Sequence, residues 1–136
     1  MGFSAPLFGS GPPTLRYVSE QEFLRSLVRE PVTVAPTLAA LRRRGVPAET
    51  PIRVAFMFSS NAPDKVDVLE DVLFNMGDYV EPVLPGDDDT IFSIVGSTRD
   101  LPMKPTAIAH RIRTMCQLAY RYDCRLCHWQ MRINPH

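Results

Sequence analysis

Residues Tyr122 to Ile133 read YDCRLCHWQMRI, and the fold turns on whether they coil or extend. Cys124, Cys127 and His128 match the C-x-x-C-H spacing that attaches c-type haem. That chemistry wants both thiols and the imidazole on one helical turn, facing the macrocycle. From Cys127 onward, however, Cys127, Trp129, Met131 and Ile133 alternate with His128, Gln130 and Arg132. A period of two predicts a half-buried strand. In a strand Cys127 points inward and His128 the other way, so the two cannot serve one iron, and Met131 is too near His128 to ligate from the opposite side. The reading is a core cysteine. Zinc would need Cys116, Cys124, Cys127 and a histidine, but Cys116 falls mid-helix without the second close pair that a structural site supplies. Thioredoxin-like chemistry would place the pair at a helix N-terminus, whereas here it follows a helix. No cofactor and no metal site are expected.

Working backward from that strand, TAIAHRIRTMCQLAYRY carries Ile108, Ile112, Met115, Leu118 and Ala119 at helical spacing, with His110, beside Arg111 and Arg113, off the stripe. DYVEPVL and TIFSIVGS read as two strands around the turn-rich PGDDD, and Pro82 puts the first of them at a sheet edge. In NAPDKVDVLEDVLFNMG, Pro63 and Asp64 open a helix, Val66, Leu69, Leu73 and Met76 form its buried stripe, and Gly77 ends it. In PIRVAFMFSS, Ile52, Val54, Phe56 and Phe58 alternate with Arg53, Ala55, Met57 and Ser59. Both sets are fairly apolar, which predicts an interior strand covered on both faces. Before it lie two short helices. One opens with a capping box, Ser19 with Glu22, carries Phe23, Leu24, Leu27 and Val28, and stops at Pro31. The other runs from Pro36 through Leu38 and Leu41 to Gly45, with Arg42, Arg43 and Arg44 in its last turn, where cations suit the helix dipole.

The order after these leader helices is strand, helix, strand, strand, helix, strand. It predicts an α+β protein of the ferredoxin-like, split βαβ kind: a four-stranded antiparallel sheet with two long helices on one face. The other face needs a cover or a partner, and the leader helices are expected to supply the cover. Residues 1–14, rich in Gly, Pro and Ser, read as a flexible arm, and residues 15–136 as a single domain.

Composition narrows the job. Fifteen Lys and Arg balance fifteen Asp and Glu, so no global field draws the chain to nucleic acid or an anionic membrane. Three cysteines are too few for a disulfide scaffold and fit reduced thiols in a cytoplasm. No apolar run reaches the roughly 18–20 residues of a membrane span. The opening MGFSAPLFGSGPP has no basic region leading into an apolar one, so no secretion signal is read there, and Pro6 stands where a myristoylation pattern wants Ser or Thr. Asp87, Asp88 and Asp89 read as a solvated hairpin tip, since no glycine-rich phosphate loop accompanies them. No stretch assembles an acid, a base and a nucleophile.

Most of the chain, from LAALRRRG to CHWQMRI, resembles the regulator of ribonuclease E activity B family. The resemblance rests on the helix ending at Gly45 before VPAE, the strand VAFMFSS, and the helix KVDVLEDVLFNMG followed by DYVEPV. It also rests on the helix IAHRIRTMCQLAYRYDC leading into a strand that carries Trp129. It implies a ferredoxin-like core that acts by binding a protein rather than by catalysis. The expectation is a non-enzymatic regulator or inhibitor of a bacterial enzyme, with a nuclease or a toxin as partner. An immunity protein that neutralises a toxin, and a small enzyme or ligand-binding domain with a pocket beside the sheet, are the alternatives. The surface expected to carry binding is His128, Gln130 and Arg132 on the last strand, Arg53 on its neighbour, and the Asp87, Asp88 and Asp89 tip.

Overall fold

The computed structural model describes residues 16–84 and 89–133. The arm read at residues 1–14, together with Asp87 and Asp88, lies outside them. The described chain runs α1 (Glu20–Arg29), a 3-10 turn (Glu30–Thr33), α2 (Val34–Arg43), β1 (Ile52–Ser60) and α3 (Pro63–Asn75). It continues through β2 (Tyr79–Pro82), β3 (Phe92–Ser97), α4 (Pro105–Arg121) and β4 (Arg125–Ile133). The four strands form one antiparallel sheet in the order β2-β3-β1-β4.

The core follows from two periodicities meeting. Along β1, Ile52, Val54, Phe56 and Phe58 are each no more than 3% exposed. They meet Val66, Leu69 and Leu73 from α3 and Ile108, Ile112, Met115 and Ala119 from α4 in one apolar cluster. Met76, at the end of the α3 stripe, is only half-buried. Pro63 occupies the first turn of α3, where its missing N–H costs nothing, and Gly77 ends that helix at φ +94°, a conformation that penalises any side chain. Gly96 in β3 is required for another reason: a Cβ there would lie 2.0 Å from the Tyr79 carbonyl oxygen and 2.9 Å from the Phe56 ring. Arg111, beside His110 on α4, makes a part-buried bidentate ion pair with Asp78 and ties α4 to the turn before β2.

The leader helices do not cover the sheet's second face. They pack against α4, on the layer where α3 and α4 already lie. Val34 and Leu38 of α2 enter the core cluster, and the Phe23 ring stacks on Tyr120 at 4.4 Å between centroids. The Arg16 guanidinium lies 4.2 Å from the centroid of the Tyr120 ring. Leu24 and Val28 stay exposed. The physical reason is anchorage. Asp123, at φ +57° in the turn between α4 and β4, accepts from the backbone N–H groups of Tyr17 (2.9 Å) and Val18 (3.0 Å) and from Lys65 Nζ (2.6 Å). That fixes the entry to α1 beside the end of α4. Ser19 caps the N–H of Glu22 as read, but the Glu22 carboxylate does not reach back to complete the capping box. It takes Arg125 Nε at 2.6 Å instead. A 3-10 turn starting at Glu30 carries the chain straight into α2, which begins at Val34, two residues before Pro36.

Candidate functional site

With both helical groups on one side, the other face of the sheet stands open among the described residues. Strand register determines what it presents. Glu81, Val95, Met57 and His128 form one row across the four strands, and Tyr79, Ser97, Ala55 and Gln130 form the next. Beyond them Arg53 on β1 pairs directly with Arg132 on β4. β1 is therefore interior by its neighbours but not covered on both faces, which corrects the sequence reading of its second apolar set. Ala55, Met57 and Val95 are half-buried by their neighbours alone and floor a hollow of about 380 Å³. His128, Gln130 and Arg132 wall it on one side and Tyr79 on the other.

Four of the residues singled out from sequence, Arg53, His128, Gln130 and Arg132, are thus brought onto one surface. Asp89 is not among them: it is exposed near the β2–β3 connection, toward the Ser60 end of β1, whereas Arg53 lies toward the Ile52 end. The electrostatics of the face are lopsided. Arg53 Nε pairs with Asp100 at 2.9 Å. Gln130, its amide oxygen turned to the guanidinium, accepts from Arg132 Nη2 (2.8 Å) and Nε (2.9 Å). At the far edge the Tyr79 hydroxyl donates to Glu81 at 2.8 Å, and that bond raises the phenol above its ordinary range. Sequence reasoning missed Tyr79, Glu81 and the Met57–Val95 floor. Their signal was the alternation in each strand, but which rows line up is a matter of register.

The C-x-x-C-H stretch is extended, and its parts separate. Met57 pairs with His128 while Phe58 pairs with Leu126, so Cys127 is the extra residue of a register shift. The shift lets Leu126 and Trp129, three apart, both pack on the core. Cys127 is consequently exposed rather than inward, and the core cysteine is Cys124, fully buried. All three cysteines line a second cleft, of about 180 Å³, between α1, α4 and the start of β4. Burial pushes the Cys116 thiol up to about 11 and the Cys124 thiol up to about 12, so both stay protonated and poorly nucleophilic. His128 lines the other hollow, and His110 is exposed on α4. Among the described residues no group of three or more His, Cys, Asp or Glu side chains is placed to hold a metal ion. No helix among them is long and apolar enough to cross a membrane.

No protein-family model matches the chain, and no curated protein matches it. Sheet surfaces that bind single-stranded RNA stack bases on aromatic rings. Here the open positions of the two central strands are Ala55, Met57, Val95 and Ser97. An apolar floor with a polar rim is the anatomy of a protein-binding patch.

Proposed function

We propose that the chain is a non-enzymatic protein-binding module that regulates or inhibits a bacterial enzyme, and that the open sheet face is its binding surface. The observation that carries this reading is the two-sidedness of β1, with one apolar set buried under helices and the other presented bare between polar rims. The element order, with β1 and β3 central in the sheet, supports a ferredoxin-like arrangement. The sequence resemblance to ribonuclease E regulators supports an inhibitory role in the cytoplasm, with a nuclease as target. A toxin neutralised by an immunity protein would be engaged through the same surface. Catalysis is less well supported, because the two buried thiols are held protonated and neither His110 nor His128 lines their cleft.

Tagged protein used as bait in its native cell, beside an Ala55→Trp twin, tests this. Ala55 sits in the middle of the face with its side chain toward the hollow, so the indole blocks docking without entering the core. The expected result is a protein captured by the parent and lost from a twin that melts at the same temperature. Equal capture by both would remove the face from the interface.

A further inference from the structure

We propose that the open face takes an acidic segment of its protein partner. Carboxylates bridge Arg53 and Arg132, and an apolar side chain between them settles on Ala55, Met57 and Val95. This rests on the reading of that face as the binding surface and goes on to name the chemistry of what binds.

One pairing on this face is disfavoured by local physics. Arg53 and Arg132 are directly opposite one another on neighbouring strands. Like charges so placed destabilise a sheet, and departures from local rules concentrate at functional sites. Asp100 relieves Arg53. Arg132 donates to the neutral amide of Gln130, and no ion pair to it is formed among the described residues. The carboxylate of Glu81 lies on the outermost strand at the other side of the sheet and is already engaged by Tyr79. Among the described residues this end of the face therefore sets two arginines against one carboxylate, a corner that is net cationic. A guanidinium fork matches a carboxylate in two hydrogen bonds at once.

The floor chooses between anionic partners. A nucleic acid would answer the arginines with phosphates but needs rings to stack its bases on, and the two rings on this face, Tyr79 and His128, sit apart on the outer strands while the central strands offer aliphatic side chains. Met57, Val95 and Ala55 instead suit an aliphatic or methionine side chain, and Met adapts its shape to what it meets. Charge at this corner steers the partner in, and the apolar floor holds it.

The experiment uses fluorescence anisotropy with the full chain and two labelled probes, a short peptide repeating Glu-Ser-Leu-Ser, which sets Glu and Leu on one side of an extended chain, and an oligouridylate of equal charge. The peptide is expected to bind, Arg132→Glu to weaken it about tenfold or more, and Met57→Ser to weaken it further. Arg113→Glu, on the exposed side of α4, is expected to leave it unchanged. Absence of peptide binding, indifference to Arg132→Glu, or equal binding of the oligouridylate would each overturn the proposal. The captured partner separates this failure from that of the broader reading. A partner lost by Ala55→Trp but kept undiminished by Arg132→Glu leaves the face as the interface and the acidic occupant wrong. A partner kept by both overturns the two readings together.

Discussion

The two faces of β1 make the instructive comparison. Ile52, Val54, Phe56 and Phe58 are sealed under α3 and α4, while Ala55 and Met57, one residue out of step, look into an open hollow, with Arg53 beyond them on the same face. The two sets differ less in hydropathy than in fate. A strand whose second face carries Ala and Met reads as buried on both sides, yet burial is decided by whether another element arrives to cover it. Here the leader helices are held elsewhere by Asp123, and among the described residues the apolar remainder is left as surface.

The sharpest contrast between covered and open side chains is among the thiols. At pH 8 a thiol pushed up to about 12 is ionised on the order of one part in ten thousand. Iodoacetamide followed by timed mass spectrometry is expected to label exposed Cys127 promptly, and Cys116 and Cys124 only on unfolding. Native-state labelling of Cys124 at the Cys127 rate would mean that the cleft under α1 opens readily.

Side-chain truncation tests the same division in free energy. Phe58→Ala, on the sealed face, is expected to cost about 3–5 kcal/mol, whereas Met57→Ala next to it costs less than about 1 kcal/mol. Urea unfolding curves measure both. Similar losses would show that something covers Met57 in solution.

Asp123 tests what keeps the leader helices off the open face. Burial raises its carboxyl, but the bond from Lys65 and the N–H groups of Tyr17 and Val18 outweigh burial and hold it below the ordinary value of 3.8. Its contribution is therefore full above that value and is lost as pH falls through the lower native one. Asp123→Ala is expected to cost about 2 kcal/mol at neutral pH, and Asp123→Asn to flatten the acid limb of stability against pH. An unchanged acid limb would take the carboxylate out of the clasp. The smallest effect belongs to Glu22→Gln. The Arg125 guanidinium beside Glu22 lowers its carboxyl, but the pair is partly exposed, so the loss should stay under about 1 kcal/mol and shrink in salt. Melting at two ionic strengths checks it.

Periodicity made the elements legible. The stripes in α3 and α4, the alternation in β1 and β4, the edge position of the Pro82 strand and the stop at Gly77 can all be read locally, because each depends on residues a few positions apart. Of the candidate surface, His128, Gln130, Arg132 and Arg53 were legible as outward positions on two strands. What escaped was every fact set by a distant contact: Cys127 on the outside of a register shift, Glu22 turned to Arg125, and Arg111 drawn in by Asp78.

By itself, then, the order of residues determined which segments coil, which extend and, where no register shift intervenes, which side chains share a face. The tertiary structure alone decided which face of the sheet is covered and which arginines meet. The division has a physical cause: local periodicity is set by backbone geometry, whereas cover and register are set by hydrogen bonds and ion pairs between residues some thirty to one hundred positions apart, such as Tyr17 to Asp123 and Arg111 to Asp78.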